Sequence, residues 1–147
     1  MFFVASCTLL PLSVLEAIRL GISSAASGPP PIITSSPLPA FAGDGFYCGM
    51  ALLWLRERMM LDLLHSDYDD LARRLGSGQV CLVFTAAHRD RFHNLIEPES
   101  YSLEELAHYA SASGDPEAGK GMRAALRWLK DCLGQIAEDQ AALLMIG

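Results

Sequence analysis

The spacing of apolar residues changes along the 147-residue chain, and each type of spacing predicts a helix or a strand. Residues 47–65 are apolar nearly all round and contain no helix-breaking residue after Gly49, so they predict a central helix buried on most of its faces. Residues 79–86 are rich in β-branched and aromatic side chains and follow Gly78, which predicts a strand. The two segments together predict a mixed fold with a buried helix at its centre.

Capping signals predict two shorter helices. Ser66 is followed closely by three aspartates, a typical N-cap with acids in the first turn, and this helix is expected to stop at Gly76. Ser102 and Glu105 have the spacing of a capping box, which predicts a helix that runs to about residue 112.

The last predicted helix is long. It begins at Asp115 and Pro116, because an acid at the cap followed by proline is a typical helix start. Apolar residues recur at helical spacing over residues 122–143 and continue this helix past Gly134. Residues 91–97 predict a second strand, which forms a short β-hairpin with the first across residues 88–90. Strands are few, so the predicted class is α+β with helix dominant.

The first 40 residues are predicted to lie apart from a domain that covers residues 41–147. Residues 1–21 are apolar, but Pro11, Glu16 and Arg19 interrupt them, so they are too short to span a bilayer and predict a short helix packed on the domain. Residues 21–45 are rich in serine, proline and glycine, as in an extended linker. This composition leaves membrane association open.

Charge and cysteine content narrow the range of partners. With 11 basic and 17 acidic residues the chain carries a formal charge of -6, which offers no dense basic patch for nucleic acid. The 4 cysteines show no C-x-x-C spacing, so neither a zinc site nor a disulfide framework is predicted, and no metal or other cofactor is implied. Free thiols fit a reducing compartment such as the cytosol.

The candidate chemistry centres on Cys48. The sequence FAGDGFYCG over residues 41–49 places this cysteine in the first turn of the predicted central helix, after a loop that contains glycine. Unpaired N–H groups and the positive end of the helix dipole favour the thiolate there, and the backbone N–H of Cys48 is the natural oxyanion donor. The alternative is that the cysteine only packs, and for Cys81 and Cys132 that alternative is the stronger.

A thiolate nucleophile needs a base, and His93 is the best candidate among four histidines. It stands near the head of the predicted strand over residues 91–97, in the segment FHNLIEPE, which could hold its imidazole rigidly beside the helix start. His65 and His108 lie toward helix C-terminal ends, where a histidine often serves only as a favourable charge. His88, in the predicted hairpin turn, is the second choice.

The order of these motifs resembles the papain-like leader cysteine proteases of hypoviruses and, more distantly, the potyvirus helper-component proteinase. The segment Gly-Phe-Tyr-Cys-Gly at residues 45–49 is similar to the family's Gly-Tyr-Cys-Tyr type motif, with one residue inserted. Phe92 and His93 precede an apolar and acidic stretch, as the family's aromatic-His pair does. Ile146 and Gly147 resemble the end of the family's cleaved product.

The resemblance implies a function for the whole chain. A papain-like domain with a Cys48–His93 dyad would cut its own polyprotein once, in cis, after Gly147. Met145, Ile146 and Gly147 would then stay in the cleft and inhibit the product. The family also implies a leader protein in the host cytoplasm that suppresses RNA silencing through host factors.

Two alternatives belong to other classes. The first is a papain-like bacterial effector that cleaves host proteins in trans, for which the Ser/Pro-rich start would be a secretion signal. The second is a non-enzymatic helical interaction module, whose partner surface would be the apolar face over residues 122–146. The module predicts that no cysteine is unusually reactive at neutral pH.

Overall fold

The computed structural model describes residues 3–19, 36–76, 78–111 and 116–147. Within them the chain is an α+β fold in which helix predominates, and this part of the prediction is confirmed. The strands are β1 (Ala5–Pro11), β2 (Ser36–Pro37), β3 (Val80–Thr85) and β4 (Gln140–Ile146). The α-helices are α1 (Leu12–Arg19), α2 (Phe46–Met59), α3 (Asp69–Gly76), α4 (Ala86–Phe92), α5 (Leu103–Ser111) and α6 (Pro116–Gly134).

All four strands form one antiparallel sheet in the order β2-β1-β4-β3. β4 occupies the interior and pairs along its whole length with β1, from Ala5 opposite Ile146 to Pro11 opposite Gln140. On its other side β4 pairs with β3. The two interior strands therefore come from distant parts of the chain.

The sheet carries a hydrophobic cluster on each face, because successive side chains of a strand point to opposite sides. Helices α2, α5 and α6 cover the first face, where the larger cluster includes Cys7, Leu9, Phe84, Leu144, Leu52, Leu106 and Leu126. Helices α1 and α3 cover the second face, where the smaller cluster includes Leu10, Val83, Ala141, Leu15 and Leu71. The sheet is thus the middle of three layers.

The end of the chain differs from the prediction. Residues 140–146 form the interior strand β4, whereas the sequence predicted that the last helix would continue through residue 143; α6 ends at Gly134. An interior strand buried on both faces has few polar positions, so its apolar residues also fit a helical spacing. The apolar face predicted as a partner surface is buried instead, because Met122, Leu126 and Leu133 lie in the larger core cluster.

The start of the chain also differs from the prediction. Residues 5–11 are strand β1 rather than a helix, and α1 begins only after Pro11. Ala5, Cys7 and Leu9 are buried in the larger cluster, so this segment is part of the same core as residues 41–147. Most of the predicted linker, residues 20–35, lies outside the described residues.

The predicted hairpin is absent from the described residues, because the segment after β3 is helical. Thr85 caps α4, and its backbone N–H donates to Nδ1 of His88 at 3.0 Å. His88 here has the role that glutamate or glutamine has in the usual capping box. His93–Leu95 and Pro98–Ser100 follow as 3₁₀ turns, so residues 91–97 form no strand.

The predicted helix starts agree closely with the structure. Ser66 Oγ accepts from the Tyr68 N–H at 3.1 Å ahead of α3, and Ser102 Oγ accepts from the Glu105 N–H at 3.3 Å at the start of α5. Helix α6 begins at Pro116, while Asp115 lies outside the described residues. The central helix is shorter than predicted, since α2 ends at Met59.

Candidate functional site

Cys48 lies in the first turn of α2, as the sequence predicted, but its side chain points into the protein. The residue is 0% exposed and belongs to the larger core cluster together with its helix neighbours Ala51 and Leu52. A nucleophile must reach its substrate, and in this conformation the thiol of Cys48 does not reach the surface.

The surroundings of Cys48 disfavour a thiolate. Burial, and to a smaller extent the charge of Asp44, together raise the pKa of its thiol to about 12. Asp44 accepts hydrogen bonds from the N–H groups of Phe3 at 2.9 Å and Phe46 at 3.1 Å, which lower the pKa of its carboxyl. A carboxylate therefore lies at the helix start, where the dipole was expected to favour a thiolate, and the thiol stays protonated at neutral pH.

The backbone donors at the start of α2 already have partners. The Cys48 N–H, predicted as the oxyanion donor, donates to the Gly45 carbonyl at 3.0 Å, and the Gly49 N–H donates to the same oxygen at 3.2 Å. The Tyr47 N–H donates to the Asp44 carbonyl at 3.0 Å. An oxyanion would have to displace these internal hydrogen bonds.

His93 lies in the 3₁₀ turn after α4. Its Nδ1 is 3.2 Å from Oδ1 of Asn94. Its ring rests on Gly134 at the end of α6, so closely that a Cβ built on this glycine would be 3.0 Å from Nε2. The imidazole is thus placed by α6, and the absence of a side chain at Gly134 makes room for it.

Helix α6 separates Cys48 from His93. On the Cys48 side, a hydrogen bond with the Cys7 thiol and burial raise the pKa of Cys132, and ionisation of Cys48, which lies nearby, would raise it as well. Gly134, which contacts His93, is two positions further along the helix, and two residues correspond to a rotation of roughly 200°. The described structure does not bring the predicted dyad together.

The other three histidines make hydrogen bonds within the fold or lie beside carboxylates. His88 is only 8% exposed, and while its Nδ1 accepts from Thr85, its Nε2 lies 2.9 Å from the His65 carbonyl. Because Nδ1 accepts, Nε2 carries the hydrogen and donates to that carbonyl. His65 and His108 are exposed and lie beside carboxylates at helix spacing. His88, the second choice for the base, therefore links β3 to the segment before α3.

The last residues lie at the end of β4, close to the start of α2. Gly147 exchanges two backbone hydrogen bonds with Val4, at 2.8 and 3.0 Å, and so prolongs the pairing of β1 with β4. Ile146 and Gly147 line a surface groove together with Gly45 and Phe46. Met145 alternates with Ile146 along the strand and points to the opposite face.

This groove, which we call the α2–β3 groove, has a volume of about 420 Å³. None of its lining residues has a charged side chain. Phe46 is 41% exposed and Val80 is 52% exposed, and a Cβ built on Gly49 would meet no atom within 4 Å, so the groove is open to solvent. Its walls include Phe46, Gly49, Met50 and Leu53 of α2, Val80 of β3 and Ile146 of β4.

The α2–β3 groove was not predicted from the sequence, although the sequence contains one signal for it. Phe46, Met50 and Leu53 follow helical spacing and form an outward face of α2. Because α2 is apolar all round, the pattern alone could not show that this face is only partly covered.

Comparisons with protein-family models, with curated proteins and with solved structures gave no match for this chain. Within the described residues, no group of three or more histidine, cysteine or acidic side chains is placed to hold a metal ion. The helices of the same residues include none with the length and apolar character that a bilayer crossing requires. The geometry of the molecule is therefore the basis for a functional proposal.

Proposed function

We propose that the chain is a non-catalytic binding domain that takes up an uncharged apolar group in the α2–β3 groove. The observation that carries this proposal is an open groove that no charged side chain lines, with Phe46 of α2 and Val80 of β3 exposed at its mouth. The proposal keeps the class of the non-enzymatic module. It moves the binding surface away from residues 122–146, whose apolar face is in the core.

The size and the walls of the groove support a ligand site. Its volume of about 420 Å³ falls in the range of small-molecule pockets, roughly 300–1,000 Å³. Each Å² of apolar surface that a ligand removes from water contributes about 25 cal/mol. Half-exposed Phe46 and Val80 provide such surface at the mouth of the groove.

The chemistry of the groove favours a neutral ligand. A buried charge is costly unless a partner neutralises it, and no side chain that lines the groove is charged. The start of α2 offers no anion site either, because Asp44 already accepts from Phe46 and the Cys48 N–H donates to Gly45. A carboxylate ligand would thus bind less well than an uncharged one of the same shape.

Titration with toluene and with benzoate, followed by amide chemical shifts, tests the proposal. Toluene should shift the amides of Gly49, Val80 and Gly147, and benzoate should bind at least tenfold more weakly. Gly49→Leu fills the open space and should abolish the toluene shifts, while Gly49→Ala, whose Cβ meets no neighbour, should preserve them. Toluene shifts that are absent, or that Gly49→Leu leaves unchanged, would refute the proposal.

A cis-acting protease is the second candidate, and one observation favours it. Gly147 and Ile146 line the same groove as Gly45 and Phe46, close to the start of the helix that carries Cys48. For catalysis the thiol must become exposed and an imidazole must approach it, and a protease acting in trans has the same requirement. The viral setting and the silencing suppression belong to this candidate.

Translation of the chain with a downstream extension distinguishes the two candidates. The binding domain predicts that the unmodified chain and Cys48→Ala both leave the extension intact. Release by the unmodified chain, with loss of release in Cys48→Ala and His93→Ala, would establish the protease. An extension that is cleaved equally in all three chains would point to a contaminating protease.

A further inference from the structure

The second half of α2 and helix α5 border another pocket, which we call the α2–α5 pocket. Its volume of about 410 Å³ falls in the range of small-molecule sites, roughly 300–1,000 Å³. It shares no lining residue with the α2–β3 groove, and unlike that groove it contains charged side chains. Its walls are three residues of α2 and three of α5, namely Trp54, Arg58, Met59, Glu105, His108 and Tyr109.

Trp54 is only 4% exposed, yet its indole N–H lacks an acceptor. In the part of the chain that the structure describes, Nε1 of Trp54 donates no hydrogen bond, whereas Nε1 of Trp128 donates to the Pro39 carbonyl at 2.9 Å. No fully enclosed side-chain nitrogen or oxygen of these residues lacks a partner, so the Trp54 nitrogen is open to the pocket that its ring lines. A buried tryptophan usually finds a partner for its N–H, and here that donor is unused.

Arg58 and Glu105 bring opposite charges to the same pocket without forming an ion pair with each other. The Arg58 guanidinium lies 5.9 Å from the centre of the Tyr109 ring and makes no hydrogen bond or ion pair with another described residue. The Glu105 carboxylate likewise has no cationic partner in the described ranges, because His108 lies beside Glu104 instead, at 3.9 Å. A free cation and a free anion therefore line one cavity.

We propose that the α2–α5 pocket is a second binding site, and that its ligand is a small zwitterion with an apolar side group, of the class of the free apolar amino acids. The indole N–H and the Arg58 guanidinium supply donors for a carboxylate, which the planar fork of an arginine matches with two parallel hydrogen bonds. Glu105 supplies the acceptor for an ammonium group. Met59 and the Tyr109 ring supply apolar contact for the side group.

The balance of charge in the pocket favours a zwitterion over a simple acid or amine. One arginine and one glutamate line it, while Glu57, which accepts from the Tyr109 hydroxyl at 2.7 Å, does not. A ligand with a single negative charge would be repelled by Glu105, and one with a single positive charge would be repelled by Arg58. Because a charge taken out of water needs a partner, a ligand that carries both charges fits best.

Titration with phenylalanine, followed by the indole N–H resonances of the two tryptophans, tests the inference. The Trp54 resonance should shift, while that of Trp128, already bonded to Pro39, should not. The probe 3-phenylpropionate lacks the ammonium group and 2-phenylethylamine lacks the carboxylate, so each should bind at least about tenfold more weakly than phenylalanine. An unmoved Trp54 resonance, or equal binding of either analogue, would refute the inference.

Substitutions of exposed residues sharpen the test without disturbing the core. Arg58→Gln should weaken phenylalanine binding at least about tenfold, whereas Arg56→Gln, the matched control outside the pocket, should preserve it. Glu105→Gln should weaken phenylalanine binding and strengthen binding of 3-phenylpropionate, because it removes the repulsion. A loss of both ligands in Glu105→Gln would contradict the assigned role of this carboxylate.

The two binding sites can fail separately. Gly49→Leu fills the α2–β3 groove and should leave phenylalanine binding unchanged, because Gly49 does not line the α2–α5 pocket. If phenylalanine shifts the amides of Gly49 and Val80 and leaves the Trp54 indole unmoved, it occupies the groove and this inference fails.

Discussion

The first turns of α2 present two faces with opposite properties. The inner face, with Cys48, Ala51 and Leu55, is fully buried in the larger core cluster. The outer face, with Phe46 and Gly49, borders an open groove. The residue type that carries chemistry lies on the inner face and the accessible surface lies on the outer one. A cysteine at a helix start is therefore no evidence for a nucleophile until its direction is known.

The largest expected effect is that of a charge placed on the inner face. Cys48→Asp buries a carboxylate beside Asp44 and should lower the free energy of unfolding by more than about 4 kcal/mol, which urea denaturation measures. Gly49→Asp is the matched variant on the outer face. An acid in the first turn of a helix is favourable, so this variant should be nearly neutral. Equal losses of unfolding free energy in the two variants would contradict the distinction between the two faces.

The dependence of stability on alkaline pH should test the burial of the Cys48 thiol without a mutation. The Cys48 thiol ionises near its ordinary pKa of 9.0 when unfolded and at about 12 when folded. Between these values the unfolded state binds fewer protons, so stability is complete below pH 9.0 and falls as pH rises, by about 1.4 kcal/mol per pH unit for this thiol. Cys48→Ala should flatten the decline, and an unchanged slope would show that the thiol is already accessible.

Two adjacent leucines give a comparison of packing. Both leucines border the groove, but Leu52 is fully buried, so Leu52→Ala should cost about 3 kcal/mol of unfolding free energy. Leu53 is half-buried and lines the groove, so Leu53→Ala should cost less than about 1 kcal/mol. Chemical denaturation of the two variants provides the measurement. A larger loss at Leu53 would mean that the groove is closed in solution.

The smallest expected effect is a gain in stability. Gly49→Ala should stabilise α2 by about 0.5–1 kcal/mol, because glycine is unfavourable inside a helix and the new Cβ meets no atom within 4 Å. The matched substitution is Gly121→Ala in α6, where a Cβ would meet the Tyr47 ring at 2.7 Å and should destabilise. Thermal unfolding resolves the opposite signs. A loss in both variants would place an unseen neighbour over Gly49.

Local signals account for the parts of the fold that the sequence predicted. Ser102 with Glu105, and Pro116, mark helix starts by chemistry within one turn. β3 follows Gly78 and is a run of strand-forming residues. These elements need no knowledge of the rest of the chain.

Most of the missed features depend on contacts between distant residues, and helix α4, with an unusual local cap, is the exception. β4 is a strand because β1 and β3 pair with it on both sides, and its apolar residues alone fit a helix equally well. Helix α4 begins through the bond between Thr85 and His88, which is not a usual capping pair. The placement of Cys48 relative to His93 is also tertiary, because α6 lies between them. Asp44 was the one local warning, since an acid before a helix start disfavours a thiolate.

The pairing of β1 with β4 also constrains the order of folding. Ala5 lies opposite Ile146, so closing this pair brings together segments separated by nearly the whole described chain. Loop closure over such a separation is entropically costly, and folds rich in distant contacts form slowly. During synthesis β1 emerges first and must wait, with its apolar face unpaired, until β4 has left the ribosome. Until then the apolar strand β1 is exposed to chaperones and to misassembly.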